Sequence, residues 1–312
     1  MKKVVLAYSG GLDTTYCVKY LGDLGYEVHA VLVDTGGFSE DELAFVEKRA
    51  STIGVASYKA IRVTQKFYDK CIKYLIFGNI LKNNTYPLSV SAERIFQAVA
   101  IAQYAKELGA DAIAHGSTGA GNDQVRFDMA FHIIYPQAEI ITPIRDNNLT
   151  RQEEIDFLTK HGVEGDWSKA EYSINKGIWG TSVGGRETLT SDQFLPEDAF
   201  PSQIQKTDSE EVVLTFKEGE VVGINGEELD PVSAINKLNE IAGDKVNKVC
   251  RGGFFGGPIE DITDFNMDYY NLISETLNNG LMGTEESLFS ALIYTKPRNY
   301  QYFMIEENGL VN

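Results

Sequence analysis

Between residues 1 and 160, two kinds of segment alternate along the chain, and they differ in how apolar and polar positions are spaced. Short and nearly continuous apolar runs, typical of buried parallel strands, cover Val4–Tyr8, Glu27–Val33, Tyr58–Val63, Asp111–Ala114 and Glu139–Thr142. Longer segments with helical spacing separate them, at Asp13–Leu24, Ser39–Thr52, Thr64–Leu81, Ala92–Glu107, Asp123–Ile134 and Gln152–Lys160. This alternation predicts an α/β fold, a doubly wound parallel sheet with helices on both faces.

Two of these helices carry sequence signals at their ends. Ser39 is followed three residues later by Glu42, which predicts a capping box. Thr150 is expected to cap the last of the six helices, and Gly162 to close it.

The pattern changes after residue 165. Residues 211–229 alternate with period two across turns at Glu218-Gly219 and Asn225-Gly226, which predicts a hairpin. A helix is expected at Val232–Ala242, and two more at Asp264–Leu281 and Thr284–Tyr294 beyond a glycine-rich break. We therefore expect a nucleotide-binding domain over residues 1–165, a smaller α+β domain over 166–245 and a helical tail over 246–312.

Composition narrows the class of function. The chain has 312 residues, 43% hydrophobic and 23% charged, with a formal net charge of −17. Such an acidic chain repels polyanions, so nucleic-acid binding is not expected. With no long apolar run and no signal-peptide pattern, we expect a cytoplasmic protein without a membrane partner. The three cysteines and four histidines lack disulfide or zinc spacing.

The first candidate site is the turn between the first strand and the first helix, Ser9–Thr15 (SGGLDTT). Its glycines let the backbone approach a ligand, and the following helix start offers N–H groups to an anion. The hydroxyls of Ser9, Thr14 and Thr15 can donate to phosphate, whereas Asp13 is better suited to a bridging Mg²⁺. The alternative is an ordinary strand–turn–helix in which Asp13 caps the helix.

The second candidate site is the stretch Ala114–Phe127 (AHGSTGAGNDQVRF). Its glycines predict a loop that wraps a nucleotide, and Asp123 can face the ammonium group of an amino acid. Arg126 lies on the same helix face as Asp123 and suits a carboxylate or a polarised oxygen. The alternative is a glycine-rich loop with Asn122 as helix cap and an Asp–Arg surface pair.

These stretches resemble a known family. SGGLDTT after a first strand resembles the pyrophosphate loop of the N-type ATP pyrophosphatases, and with the second stretch it resembles argininosuccinate synthase. YPLSVSAER at Tyr86–Arg94 and YSINKGIWGTSVGG at Tyr172–Gly185 add two blocks in the family's order. The resemblance covers about Lys2–Ala242.

The resemblance implies three sets of binding residues. The ATP contacts it implies are Ala7, Tyr8, Ser9, Gly10, Gly11, Leu12, Asp13, Thr14, Thr15, Val33, Ala114, His115, Gly116, Ser117, Thr118, Gly119, Ala120, Gly121 and Asn122. The aspartate contacts are Thr118, Asn122 and Asp123, and the citrulline contacts are Tyr86, Ser91, Asn122, Arg126, Ser173 and Ser182. From the residues alone, Tyr86 is better explained as a partly buried aromatic side chain, and the three serines as helix caps or turn residues.

The reaction that the resemblance implies belongs to arginine biosynthesis and uses ATP and Mg²⁺. The ureido oxygen of citrulline attacks the α-phosphorus and pyrophosphate leaves; the aspartate amine then displaces AMP from the citrullyl-adenylate. Asp13, Asp123 and Arg126 are the expected catalytic residues, with no general base assigned and the metal ligands left open. Whether citrulline or an acylated citrulline is the substrate is also open.

The chain departs from the family beyond Ala242. In the family, a glycine-rich segment leads to the sequence Arg-Ile-Asp, followed by two residues of the citrulline pocket and a C-terminal helical arm. This chain has RGGFFGGP and an unrelated tail instead. Residues 246–312 weakly resemble the end of a bacterial glycosyltransferase, although no D-x-D motif precedes them, and Thr284–Ser287 is also explained as a helix start. We expect a homo-oligomer smaller than the family's tetramer.

Three alternatives to the ligase remain from the sequence. The first is a truncated or fused ATP-binding protein of the same family with impaired catalysis. The second is another N-type pyrophosphatase, such as a tRNA-thiolating enzyme, which the acidic charge and the lack of paired cysteines disfavour. The third is sugar transfer by the tail.

Overall fold

A computed structural model describes residues 1–80, 88–119, 122–165, 167, 172–184, 196–199, 201, 203, 210–243, 287–296 and 300–307. By compactness the chain divides into two units. The first comprises Met1–Phe67 and Val90–Glu171, and the second Tyr68–Ser89 and Tyr172–Asn312. Tyr68–Ser89 thus belongs to the second unit, although it lies within the first predicted domain.

The first unit is built on a parallel sheet. Its strands are β1 (Lys2–Ala7), β2 (Tyr26–Asp34), β3 (Ser57–Arg62), β4 (Ala112–Ala114) and β5 (Glu139–Ile141). They lie in the order β3-β2-β1-β4-β5, and every neighbouring pair is parallel. This arrangement confirms the doubly wound sheet predicted from the sequence.

The helices follow the predicted sequence order. They are α1 (Leu12–Asp23), α2 (Glu40–Ile53), α3 (Thr64–Phe67), α4 (Lys73–Phe77), α5 (Ser89–Leu108), α6 (Asp123–Ile134), α7 (Pro143–Asn147) and α8 (Arg151–Lys160). A π-helical turn, Tyr68–Ile72, joins α3 to α4. The predicted capping box of Ser39 with Glu42 forms, and Thr150 caps its helix as predicted. The structure adds that Thr150 forms a full capping box with Glu153, and Gly162 adopts a positive φ of 69°. The short helix α7 was not predicted.

Alternate residues of the strands pack into two hydrophobic layers. Val4 and Leu6 of β1 join one cluster, which also holds Val18 of α1 and Val46 of α2. Val5 of β1 joins a second cluster, whose other members come largely from α5 and α6. Burial on both faces explains why these strands are continuously apolar rather than alternating.

The strand order creates a switch point beside β1. The chain moves outward from β1 through β2 to β3 and then returns to the opposite side of β1 with β4 and β5. The carboxyl ends of β1 and β4 are therefore neighbours, and in such sheets ligands bind in the crevice beyond these ends. Both predicted glycine-containing loops begin there.

The second unit contains two antiparallel sheets among its described residues. Strands β6 (Ser173–Gly177) and β7 (Gly180–Gly184) form a hairpin. Strands β8 (Glu210–Lys217), β9 (Glu220–Ile224), β10 (Glu227–Glu228), β11 (Ser287–Lys296) and β12 (Tyr300–Glu307) lie in the order β10-β9-β8-β11-β12, and α9 spans Pro231–Gly243. The predicted hairpin is confirmed, with positive φ at Glu218 (51°), Gly219 (83°), Asn225 (51°) and Gly226 (79°).

The helix predicted at Thr284–Tyr294, and with it this part of the helical tail, is wrong. Ser287–Lys296 is the strand β11, which pairs with β8 on one side and β12 on the other. The segment places apolar residues at Leu288, Phe289, Leu292 and Ile293, a spacing that also suits a helix. Pairing along β8 satisfies its backbone, and its β-branched and aromatic residues favour a strand. The helix predicted at Asp264–Leu281 and the glycine-rich break lie outside the described residues.

Within the part of the chain that the structure describes, no helix is both long and apolar enough to cross a bilayer.

Candidate functional site

The loop after β1 is held in a shape that requires glycine at position 10. Gly10 has a φ of +77°, and a Cβ there would lie 3.1 Å from Cγ2 of Val46 on α2. Any side chain would therefore meet both backbone strain and a packed neighbour. The positive φ of Gly10 confirms the tight turn that the glycine pair predicted.

Hydroxyl groups of the loop bond within the loop itself. Thr15 is fully buried, and its Oγ1 donates to the carbonyl oxygen of Gly11 at 2.7 Å. Ser9 Oγ and Thr14 Oγ1 lie 3.3 Å apart, a long contact on the exposed side. Thr15 is thus placed beneath the loop, whereas Ser9 and Thr14 keep hydroxyls near its surface.

The start of α1 is open to an anion. Gly11 occupies the cap position and forms no side-chain cap hydrogen bond. Because glycine has no side chain, position 11 supplies no acceptor for the first N–H groups of this 12-residue helix, and the carboxylate of Asp13 accepts from its own backbone N–H. Such a helix start, preceded by a loop whose backbone is exposed at Gly11, is suited to phosphate oxygens.

Asp13, in the first turn of α1, has a buried acidic neighbour. Glu154 of α8 is 2% exposed, and burial raises its pKa to about 8, with the charge of Asp13 acting in the same direction. Burial also raises the pKa of Asp13, against the charge of Arg151 and a hydrogen bond from Glu154. Because Glu154 keeps its proton near neutral pH, it can donate to Asp13 and leave Asp13 as the anionic member of the pair.

The two glycine loops meet at Asp13. A Cβ on Gly116 would lie 3.4 Å from Cβ of Asp13 and 3.5 Å from Sγ of Cys17. Gly116 follows His115 directly after β4, so the second loop packs against the first turn of α1. The contact that the strand order predicts between the two loops is therefore present.

A polar network holds the second loop from behind. His115, 1% exposed, accepts from the backbone N–H of Ser117 (3.2 Å to Nδ1), which leaves its Nε2–H to donate to Oδ1 of Asp128 at 2.9 Å. Burial lowers the pKa of His115, in keeping with a neutral ring. Arg145 donates from Nη1 to Oδ2 of Asp128 at 2.8 Å.

Gln124 adds a bond to the tip of this loop. Its Nε2 donates to the carbonyl oxygen of Gly119 at 2.6 Å, and its Oε1 accepts from Nη1 of Arg145 at 3.0 Å. Thr118 and Gly119 are exposed between these anchors. These hydrogen bonds hold the backbone of the loop at Ser117 and Gly119, while the side chain of Thr118 stays exposed.

Asp123 lies between two arginines at the start of α6. Its Oδ1 accepts from Nη1 of Arg126 at 2.7 Å, and its Oδ2 accepts from Nε of Arg94 at 3.1 Å. The predicted Asp–Arg pair is thus present. Asn122 occupies the cap position of α6 but forms no side-chain cap bond.

A buried acid supports this cluster. Glu93 accepts from Nε2 of Gln97 at 3.0 Å, and Gln97 in turn accepts from Nη1 of Arg94 at 2.6 Å. Burial raises the pKa of Glu93 to about 7, against the charge of Arg94 and a hydrogen bond with Thr35. Thr35 follows β2, whose buried residue Val33 is the predicted adenine neighbour.

The remaining predicted residues are placed as follows. Ala7 ends β1, Ala114 ends β4, and Tyr8 and Leu12 are buried beside the first loop. Ser91 lies in the first turn of α5. Ser173 and Ser182 are exposed on β6 and β7 of the second unit and, by register, on one face of that hairpin, so neither is a helix cap or turn residue. Tyr86, Ala120 and Gly121 lie outside the described residues.

Comparison with known proteins identifies the family. Residues 3–164, just over half of the chain, match the family model described as arginosuccinate synthase N-terminal HUP domain. The chain belongs to the argininosuccinate synthase family. The matched region contains the parallel sheet and both glycine-containing loops, so the resemblance stated from the motifs is confirmed.

Relatives of the argininosuccinate synthase family extend the similarity into the second unit. The chain is 42% identical over 243 residues to argininosuccinate synthase of Methanocaldococcus jannaschii, covering 77% of this chain and 61% of that one. It is 40% identical over 245 residues to argininosuccinate synthase of Sulfolobus acidocaldarius, covering 78% and 62%. The chain therefore spans about three fifths of the length of these relatives.

A solved structure was also found, of a predicted subunit of tRNA methyltransferase from Methanocaldococcus jannaschii. It is 17% identical, with a TM-score of 0.35, and covers 51% of this chain and 76% of that one. So low a score bears on neither fold nor function.

Sequence reasoning missed the residues that hold the site in place. Five residues that were not predicted lie against a predicted site residue or its loop: Arg49, Arg94, Asp128, Arg145 and Glu154. The signal for Arg94 was its position inside the quoted YPLSVSAER block. The others carry no local signal, because their partners are distant in sequence.

Proposed function

We propose that the chain joins citrulline and aspartate into argininosuccinate at the expense of ATP, through a citrullyl-adenylate, with release of pyrophosphate and AMP. The observation that carries the proposal is the meeting of the two glycine loops at Asp13, beside the switch point of the parallel sheet. Membership of the argininosuccinate synthase family supports it. The chain's length relative to its relatives makes the complete activity a matter for experiment.

Phosphate binding in this proposal depends on the main chain. The loop Ser9–Thr15 contains no lysine or arginine, so its own side chains bring no positive charge to the phosphates. The N–H groups at the start of α1 and around Gly11 supply fixed donors, which cost no reorganisation when the anion arrives. Ser9 and Thr14 add hydroxyl donors at the surface of the loop.

Mg²⁺ fits this site as a phosphate-bound ion. No group of three or more His, Cys, Asp or Glu side chains is arranged to hold a metal among the described residues. Mg²⁺ that binds together with phosphates needs only one or two protein carboxylates. Asp13, kept anionic beside the protonated Glu154, is the carboxylate that would hold it, and the ion would neutralise phosphate charge.

The residues of this chain act in the reaction mainly by positioning and charge. The two loops hold the phosphates and the α-phosphoryl group in place for attack by the ureido oxygen of citrulline. Asp123 receives the ammonium group of aspartate, and Arg126 stabilises the oxygen that becomes adenylated. Tyr86, Ser91, Asn122, Ser173 and Ser182 contact citrulline, and Thr118 and Asn122 contact aspartate. We further propose a cytoplasmic homo-oligomer.

The test is an assay of the full chain with ATP, Mg²⁺, citrulline and aspartate. We expect pyrophosphate release that requires citrulline, and argininosuccinate and AMP only when aspartate is also present. Omitting citrulline is the matched control, because adenylation has no acceptor without it. If the protein binds ATP but forms neither AMP nor pyrophosphate, the ligase function is wrong and the impaired ATP-binding alternative stands.

A further inference from the structure

Arg49 of α2 reaches the phosphate loop from outside it. Its Nη1 donates to the carbonyl oxygen of Gly10 at 2.7 Å, although the two residues are 39 positions apart. A hydrogen bond from a charged donor is among the stronger ones in proteins. The contact therefore ties the loop to the body of the first unit.

The guanidinium group of Arg49 is itself fixed. Its Cζ lies 5.0 Å from the ring centroid of Phe45 and 4.9 Å from that of Trp167. Stacking against aromatic rings orients a planar guanidinium better than it would an ammonium group. Arg49 therefore donates from a held position rather than as a mobile surface cation.

The bond to Gly10 also determines the direction of the next N–H group. The carbonyl of Gly10 and the N–H of Gly11 belong to one rigid trans peptide, so they point in opposite directions. The N–H of Gly11 has only a long contact, 3.4 Å to Oγ of Ser9. A phosphate oxygen is a better acceptor, and the N–H is already aimed away from Arg49.

The geometry points to Arg49 as a positioning residue for phosphate binding, which holds the Gly10–Gly11 peptide so that the Gly11 N–H faces the phosphate. This inference rests on the proposed function, because it requires that the loop bind phosphates. Val46, one turn before Arg49, packs against Gly10 and supports the same peptide. Helix α2 thereby acts on the ligand without touching it.

The test measures two probes by titration calorimetry on the full chain, inorganic pyrophosphate and adenosine. R49M removes the donor but keeps the apolar stem, and we expect about a tenfold loss of pyrophosphate affinity with adenosine affinity unchanged. R49K should restore only part of the loss, since an ammonium group can still donate but is held less well by the two aromatic rings. K48M is the matched control, because Lys48 is the exposed neighbour on α2 and its loss changes the charge equally.

The outcomes separate the two proposals. Equal pyrophosphate binding by R49M and the wild type would overturn the role of Arg49 alone. If K48M lost as much pyrophosphate affinity as R49M, the effect would come from net charge alone. If R49M lost as much affinity for adenosine as for pyrophosphate, the effect would come from general damage to the structure. Either result would overturn the inference. A wild type that binds neither ATP nor pyrophosphate would overturn the proposed function and this inference together. If R49M does not fold, R49Q, whose shorter amide does not reach Gly10, replaces it with the same expectation.

Discussion

Arg94 reaches from α5 to the first residue of α6, where its Nε donates to Oδ2 of Asp123 at 3.1 Å. The other oxygen of Asp123 is held by Arg126, so the carboxylate has a fixed orientation before any substrate arrives. An ammonium group that binds Asp123 joins this charge cluster. Under the proposed function, the pair links the affinity for aspartate to Arg94, which holds Asp123 from α5.

We first predict that R94M weakens aspartate binding selectively. The KM for aspartate should rise about tenfold, because Asp123 loses one of two charged donors. Citrulline-dependent release of pyrophosphate without aspartate should change by less than about twofold. Steady-state and half-reaction assays measure the two effects, and R94K should recover part of the affinity. Equal losses in both half-reactions would contradict a role in orienting Asp123.

Replacing Gly10 should damage both the loop and its ligand binding. G10A places a Cβ 3.1 Å from Val46 at a φ of +77°, and the left-handed backbone alone costs about 1–2 kcal/mol. We expect lower stability in urea denaturation and at least about tenfold weaker binding of ATP. The double substitution G10A/V46A should recover the steric part only.

Gly22 on α1 provides the control for Gly10. A Cβ there meets nothing within 4 Å, so G22A should leave ATP binding unchanged and stabilise the helix by about 1 kcal/mol. If G10A bound ATP as tightly as G22A, the shape of the loop would not matter for binding.

Stability should fall as pH rises through the titration of Glu93. The pKa of this carboxyl is raised to about 7 in the fold from its ordinary value of 4.5, so the protonated form is favoured when folded. The stabilisation is complete below about pH 4.5 and is lost as pH rises to about 7, on the order of 3 kcal/mol in total. Urea denaturation of E93Q should lack this loss, since the amide does not ionise.

The exposed Glu47 of α2 is the matched control for Glu93. E47Q changes the charge by the same amount at an exposed position and should keep the pH dependence of the wild type, because it leaves Glu93 in place. The measured quantity is the difference in the free energy of unfolding between the wild type and E93Q. If this difference were the same at pH 5 and at pH 8, the prediction for Glu93 would be wrong.

Removing Asp128 should release the second loop. D128A leaves the buried Nε2–H of His115 without its acceptor and Arg145 without this partner, at a cost of about 1–3 kcal/mol. D128N keeps an acceptor for His115 and should recover most of that stability. ATP affinity should fall in D128A, as titration calorimetry would measure. D146A is the control, because Asp146 is more exposed and lies 3.6 Å from Nε of Arg145; a similar effect there would argue against the network.

The sequence predicted the fold where local and tertiary preferences agree. The strands β1 and β2 are apolar on both faces and fit only a covered parallel sheet, and the boxes at Ser39 and Thr150 fix two helix starts by local hydrogen bonds. The segment Ser287–Lys296 fits either a helix or a strand locally, and pairing with β8 decides. Local patterns carry no information about such a partner.

The candidate site was predictable only as far as its motifs. Ser9–Thr15 and the residues around Gly116 and Asp123 stand out by glycine content and composition, and the fold brings them together as the strand order requires. The residues behind them do not stand out, since Arg49 and Arg145 resemble any surface arginine until their partners are known. Their partners, Gly10 and Asp128, are fixed by packing between distant elements.

Under the proposed function, the loop Ser9–Thr15 has no lysine and binds phosphate through N–H groups at the start of α1, which affects how its function is mapped by mutation. Removing side chains one at a time across Ser9–Thr15 leaves those N–H groups in place, so an alanine scan would undercount the loop. The sensitive positions are those that shape the main chain, Gly10 within the loop and Arg49 outside it. A substitution in this loop should therefore be judged by whether it changes the direction of the main-chain N–H groups. A hydroxyl that can be removed without loss of binding does not show that the peptide group of the same residue is unimportant.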